Sequence, residues 1–508
     1  MEPCSLNIVI RADCGPGIGT GHLMRMLALG QACVQVGGCV TMAVGVIPGG
    51  LKKRILDSGI QLHVLKHSSG CLRDAQETLQ IANGCKADWI AIDGYRFDYK
   101  YQAQVAETQA RLLMMDDGEQ ADLAVVDLVL NQNAYATIPA GRTHVDYLAG
   151  CEYTLLRTEF LAKAACEPKH VVKLARRILV TFGGSDEDDW TSVALRAIEQ
   201  AGNERTIVDA IVGAGYPNLD ALLHLKRELK YNVRIHRNVD RMVDLMSRVD
   251  MAVTAGGSTC YELARCGVPS LAIAVADNQR SVVDELVRRE AIVQFEPEGS
   301  AAELHSAIRR LMRDDVTRNK LSSNGQRLVD GHGSLRIARR LANYGVELRP
   351  VEMADEQLLL HWRNDPEVRS VSFQTAPVSI ETHRAWLKNK LADPKIGLWI
   401  AEDQRNEPVG QVRFEFNNHE ATISITIDHA RRARGLGKVL IERACRKVFE
   451  QHPELLSVVA LIKIGNVASE RAFRNAGFTQ ATPTMVESKL ASKYVLHRET
   501  VSRIRKVA

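Results

Sequence analysis

Short apolar runs alternate with longer amphipathic stretches through the first two-thirds of the chain. Strand-like segments fall at 6–10, 40–46, 61–64, 89–92 and 112–115, each followed by a polar or helical crossover. After the looser, charged stretch 164–173 the series restarts, with strands at 178–182, 207–212, 233–236, 251–254 and 271–275. Strands joined by helical crossovers pair in parallel, and a parallel sheet must be covered on both faces. The pattern therefore predicts an α/β fold class with two doubly wound domains. From about Glu347 the pattern changes. Strands at 409–416 and 421–427 flank Asn417 and Asn418, a hairpin signal, and a strand at 458–464 precedes a helix at 468–476. That mixture predicts a third, α+β domain. The expected domains are 1–165, 166–345 and 346–508, a division that suits 508 residues.

Composition narrows the function classes. Apolar residues make up 45% and charged residues 25%, and 65 Lys+Arg against 61 Asp+Glu leave a net charge of +4. So balanced a charge gives no sign of a nucleic-acid partner, a local basic patch aside, and none is expected. Apolar runs such as 270–276 are far short of the ~20 residues of a membrane span, and the first residues lack a basic region ahead of an apolar core. A cytoplasmic protein without a membrane span is expected. The 11 cysteines are scattered without a C-x-x-C pair, which predicts reduced, buried thiols and no metal site.

Three strand-to-helix junctions are rich in glycine. The first, R-A-D-C-G-P-G-I-G-T-G-H, runs from Arg11 to His22 and includes Asp13, Gly19 and Gly21. Its spacing is neither of the standard nucleotide fingerprints, G-x-G-x-x-G or G-x-x-x-x-G-K-[ST]. Glycines let a ligand approach the backbone, and a helix start leaves N–H groups free for an anion. His22 at the loop mouth is a candidate general base, or else a residue closing a tight turn. The second junction carries Gly183, Gly184, Ser185 and Asp186. The third carries Gly256, Gly257, Ser258 and Thr259, with Glu262 one turn into its helix. Two matched loops in one domain point to a nucleotide, with Glu262 on a pair of ribose hydroxyls. Ser185 and Asp186 also suit helix caps.

Many dispersed motifs in one order carry a resemblance. Arg11–His22 with Arg25, Asp93-Gly-Tyr95, Met115-Asp-Asp117, Asn131-Gln-Asn133, Leu155-Leu-Arg157 with Glu159 and Phe160, Ala255–Thr259 with Glu262, and Asn278-Gln279 resemble the UDP-sugar hydrolase family of pseudaminic acid synthesis. The resemblance covers about residues 6–341. It implies two Rossmann-like domains of the GT-B type and hydrolysis of UDP-2,4-diacetamido-2,4,6-trideoxy-β-L-altropyranose. UDP is a good leaving group, so one base to activate water suffices. By that analogy His22 is the base, Asp13 orients the imidazole or the sugar, and Tyr95 lines the sugar side. Arg25, Gly19, Gly21, Gly183, Gly184, Ser185, Gly256, Gly257, Ser258, Thr259, Glu262, Asn278 and Gln279 are the implied substrate-binding set, placed across an interdomain cleft. Asp116 and Asp117 are read as turn residues.

In the third domain, Arg432-Ala-Arg434-Gly435-Leu-Gly437 opens a helix carrying Lys438, and Asn466, Ser469 and Phe473 lead to Asn475-Ala-Gly-Phe478. This resembles the pyrophosphate loop and following helix of the GNAT acetyltransferases. It implies acetyl-CoA as co-substrate, held by Arg432, Arg434, Gly435, Gly437, Lys438, Asn466, Ser469 and Phe473. Phe473 stands where many members have a tyrosine acid, so a water or Tyr494 would serve instead. Glu415 is the candidate base, or else an exposed strand carboxylate. Paired with the hydrolase, the domain is expected to acetylate UDP-4-amino-4,6-dideoxy-N-acetyl-β-L-altrosamine, the preceding step. The alternatives are a glycosyltransferase of GT-B type fused to a protein or aminoglycan N-acetyltransferase, and a nucleotide-sugar binding module.

Overall fold

A computed structural model describes residues 6–15, 19–118, 121–139, 145–162, 168–184, 186–213, 215–237, 239–403, 406–432 and 436–499. Two compact units divide the chain, Met1–Ala338 and Arg339–Ala508.

The first unit holds two parallel sheets. Strands β1 (Asn7–Ala12), β2 (Cys39–Val44), β3 (Gln61–Val64), β4 (Trp89–Asp93), β5 (Arg111–Met115), β6 (Leu128–Asn131) and β7 (Asp146–Ala149) lie in the order β3-β2-β1-β4-β5-β6-β7. Every residue of β4 is buried, as two covered faces require. The first crossover, α1 (Gly21–Gln35), buries Leu23, Met26, Leu27 and Leu29, and Gly30 lets it close on β1 and β2. The second sheet has β8 (Arg177–Thr181), β9 (Ile207–Val212), β10 (Asn232–Arg237), β11 (Met251–Ala255), β12 (Ser270–Ile273) and β13 (Val293–Phe295), ordered β10-β9-β8-β11-β12-β13. Among its helices are α8 (Thr259–Arg265) and α9 (Asp277–Arg288), counted in chain order. In both sheets the chain winds outward from a central strand and then returns to that strand's other side. The reversals fall at β1/β4 and β8/β11, where a crevice opens beyond the strand ends.

The segment after β7 belongs to the second sheet's packing. Cys151, Leu156 and Phe160 share an apolar cluster with Cys260, Tyr261 and Leu263. Helix α12 (Gly333–Ala342) starts against the same segment, where a Cβ on Gly333 would lie 2.3 Å from the Thr154 carbonyl.

The second unit is a mixed sheet. Strands β14 (Glu347–Pro350), β15 (Ile396–Glu402), β16 (Pro408–Asn417), β17 (Glu420–Ile427), β18 (Ser457–Lys463), β19 (Thr479–Val486) and β20 (Lys489–His497) run β14-β15-β16-β17-β18-β20-β19. All its pairs are antiparallel except β17 with β18. The expected hairpin forms with its turn one position later, at Asn418–His419, since Asn417 still pairs with Glu420; Asn418 takes φ +51°. Strands β17 and β18 pair only from Glu420↔Ser457 to Ile423↔Ala460, so their later residues diverge. Helix α16 (Leu436–Gln451) covers the sheet with Leu440, Ile441, Ala444 and Val448.

Among the described residues no helix is long and apolar enough to cross a membrane, and no His/Cys/Asp/Glu group is arranged to hold a metal ion. Cys33, Cys260, Cys266 and Cys445 are free and buried, whereas Cys39 is disulfide-bonded, against the expectation of reduced thiols.

Candidate functional site

At the first switch point Arg11 is fully buried and forks between two carboxylates. It donates to Asp74 at 3.0 and 2.9 Å and to Asp13 at 2.7 Å, and Asp13 also accepts the Gly45 N–H at 2.8 Å. Burial pushes the Asp13 carboxyl up, but the Arg11 bond and charge outweigh it and hold the group below its ordinary range. Asp13 is thus braced by Arg11 of β1 and the backbone just after β2, and the carboxylate at the imidazole is a different one.

His22 sits in the first turn of α1, with Nδ1 2.7 Å from Oδ1 of Asp93 at the end of β4. Arg25, three residues on and so on the same helix face, donates to Asp93 Oδ2 at 2.5 Å, to Asp93 Oδ1 at 2.6 Å and to Asp117 Oδ2 at 2.6 Å. Asn133 donates to the other Asp117 oxygen at 3.0 Å. Burial raises the Asp93 carboxyl, and the Arg25 charge with the Arg25 and His22 hydrogen bonds more than reverses this, leaving it lowered. Ionised Asp93 accepts the Nδ1 proton, so the lone pair of His22 lies on Nε2. The 3.2 Å approach of Arg25 to the same Nδ1 is then a contact between donors, and the shorter bonds to Asp93 dominate it. The Tyr95 ring meets the imidazole edge-on at 4.9 Å, and Asn278 of α9 donates to its hydroxyl at 3.3 Å. A small cleft beside them is lined by Arg25, Asp93, Tyr95, Met115 and Asp117.

The second sheet's loops complete this crevice. Gly183 takes φ +90°, and a Cβ on Gly184 would lie 3.6 Å from Thr20 Oγ1, so the first and second glycine loops face each other. Asp186 accepts the N–H groups of Trp190 and Thr191 as a helix-start cap. In the third loop Gly256 and Val275 both donate to Gln279 Oε1, so Gln279 braces the backbone. Ser258 is exposed and makes no side-chain cap bond. Glu262 accepts from Arg157 at 2.8 Å. Ser185, like Arg434 and Gly435, lies outside the described residues.

Among the implied substrate-binding residues, then, Gly19 meets Gly184, and Asn278 meets Tyr95 of the implied catalytic set. Arg25 is instead spent on two carboxylates. Asp93 replaces Asp13 as the partner of His22, and Asp117, read as a turn residue, anchors Arg25. Asp116 does hold the turn, accepting the Gly118 and Ala121 N–H groups. Asp93, Asp117 and Asn133 all fall within the short motifs on which the resemblance rests, but their pairing spans 68 and 92 positions and no local pattern marks it.

In the second unit, Arg432 donates to the Ile427 carbonyl and to Asp365 and Glu367. Gly437 opens α16 with a Cβ position 3.5 Å from Ala472, and Lys438 pairs loosely with Glu442 at 3.6 Å. Asn466 caps the helix Val467–Asn475 by accepting the Ser469 N–H at 3.1 Å. Phe473 is buried against Phe478, and Tyr494 is buried in the same core. Glu415 pairs across from Thr422, where β17 and β18 are still joined, and lies 3.4 Å from both Lys390 and Arg413.

Residues 346–479 match the acetyltransferase (GNAT) domain family model. Over 441 residues the chain is 22% identical to an uncharacterised protein of Methanocaldococcus jannaschii, covering 83% of this chain and 86% of that one. It is 25% identical over 358 residues to the spore coat polysaccharide biosynthesis protein SpsG of Bacillus subtilis, covering 65% of this chain and 96% of that protein. Solved structures similar to 32% of the chain include an aminoglycoside acetyltransferase with coenzyme A (19% identity, 99% of that chain, TM-score 0.29). Another is the spermidine N-acetyltransferase of Vibrio cholerae with CoA and spermine (18% identity, 99% of that chain, TM-score 0.30). The chain thus has a two-sheet α/β unit followed by a stretch that matches the GNAT acetyltransferase model, and over 65% of its length it is similar to a polysaccharide biosynthesis protein.

Proposed function

We propose that this is a bifunctional enzyme of nucleotide-sugar metabolism. The GNAT domain transfers acetyl from acetyl-CoA to the amino group of UDP-4-amino-4,6-dideoxy-N-acetyl-β-L-altrosamine. The first unit, in the manner of a GT-B enzyme, then hydrolyses the diacetamido product to UDP and the free sugar. The observation that carries the hydrolase reading is the His22–Asp93 pair at the β1/β4 switch point, faced by Tyr95 and, from the other half, Asn278.

The arrangement supports water attack in three ways. Asp93 fixes the imidazole with Nε2 as the acceptor, so His22 takes a proton from water as the water oxygen bonds to the anomeric carbon. The bond from that carbon to the UDP oxygen breaks, and UDP leaves with the electron pair. Glycine backbone at 19, 183–184 and 256–257 suits the diphosphate, and Glu262 suits the ribose. In the acetyltransferase, the divergence of β17 from β18 gives a slot for the pantetheine arm, and the start of α16 suits the CoA pyrophosphate. The substrate amine attacks the thioester carbonyl, and the CoA thiolate takes up a proton.

Incubation with acetyl-CoA and the UDP-4-aminosugar tests both halves. CoA release followed by UDP release is expected, with the second alone lost in His22→Ala. CoA without UDP, restored by an added sugar acceptor, would favour a glycosyltransferase, a reading with which the name of the Bacillus subtilis relative also agrees.

A further inference from the structure

Glu262 does not stand alone on its helix. Its Oε1 accepts from Nη2 of Arg157 at 2.8 Å, across 105 positions of sequence. Arg157 lies on the segment that leaves the first sheet, and its side chain is 7% exposed. Its two terminal nitrogens each face a carboxylate, while the buried Nε has no hydrogen-bond partner among the described residues. Nη1 lies 2.8 Å from Glu159, the guanidinium stands over the Phe160 ring at 5.3 Å, and Arg265 of α8 donates to the Phe160 carbonyl at 3.1 Å. Leu156 and Phe160 are buried in one apolar cluster with Cys260, Tyr261 and Leu263, so segment and helix form one packed body. The Glu262 side chain keeps 17% of its surface open.

We infer that Arg157 is a positioning residue, holding one oxygen of Glu262 so that the other is presented to the 2′ and 3′ hydroxyls of a ribose. This rests on the reading that the crevice binds UDP. A glutamate on a free stem loses rotamer entropy when it engages a diol, whereas one already gripped by a buried, planar guanidinium has lost it in advance. Nucleotide recognition by the second sheet then depends on a side chain delivered by the chain leaving the first.

The test is calorimetric titration of the full chain with UDP and with 2′,3′-dideoxy-UDP, for wild type, Arg157→Met and Arg157→Lys, with thermal melting alongside. Wild type is expected to prefer UDP. Arg157→Met should weaken UDP by about tenfold or more, the scale of a hydrogen bond to a charged group, and leave the dideoxy affinity within about twofold. Arg157→Lys should recover part of the preference. Equal weakening of both nucleotides would show a packing role only, and tighter UDP binding would make Arg157 a competitor; either overturns the inference. Equal wild-type affinities would remove the ribose contact while leaving UDP binding intact, and no UDP binding at all would remove both. Should Arg157→Met fail to fold, Arg157→Lys must show a smaller preference for UDP over the dideoxy nucleotide than wild type, or the inference fails.

Discussion

His22 and Asp93 are 71 positions apart in sequence and 2.7 Å apart in the structure. Two neighbouring strands deliver them: β1 leads through the glycine loop into the helix that carries His22, and β4 ends at Asp93. Arg25 occupies both Asp93 oxygens and leaves Oδ1 shared with the imidazole, which fixes the tautomer.

His22→Ala should abolish UDP release. Asp93→Asn should keep the shape but lose the preference for the Nδ1–H tautomer, lowering kcat by about 10²–10⁴-fold, the range of general-base catalysis. CoA release by both variants should match wild type. Steady-state kinetics of the two products checks this, and a loss of both activities together would contradict it.

Arg25→Met leaves Asp93 and Asp117 buried without their cation. Breaking a buried ion pair in this way costs about 3–5 kcal/mol, and Arg11→Met should do the same to Asp13 and Asp74. Urea unfolding of the first unit's transition would detect it. A cost under about 1 kcal/mol, the level of an exposed pair, would contradict the buried network.

Asp13 and Asp93 are both held below the ordinary carboxylate value of about 3.9. As pH falls below about 4 the unfolded chain binds protons that the folded one does not, so stability drops through that window. The melting temperature of Asp13→Asn should fall less steeply there than that of wild type. An unchanged slope would contradict the assignment.

Gly213 has no room for a side chain, since its Cβ would lie 2.2 Å from the Gly184 carbonyl oxygen. Gly213→Ala should displace the Gly183–Gly184 loop and weaken UDP binding by about tenfold or more, at a stability cost of about 1–3 kcal/mol, as for overpacking. Titration with UDP and thermal melting separate the two effects.

The strand and helix alternation made most of both parallel sheets legible, because two-sided burial writes continuous apolar runs such as that of β4. Strands β6, β7 and β13 escaped: they have only three or four residues and little pattern to show. In the second unit β14, β15, β19 and β20 also escaped, β19 being a mostly exposed edge strand with Pro483 inside it. His22 and the glycine loops were visible locally. The partner of His22 was not, for Asp13 and Asp93 both end strands flanking the switch point and only the side-chain geometry tells them apart.

The most direct test is hydrolysis of the UDP-diacetamido sugar in ¹⁸O-labelled water, with no acceptor added. Attack at the anomeric carbon predicts unlabelled UDP from the wild type and no UDP from His22→Ala. Label in the UDP phosphate would place the attack at phosphorus, and absence of UDP from the wild type would contradict the hydrolase account outright.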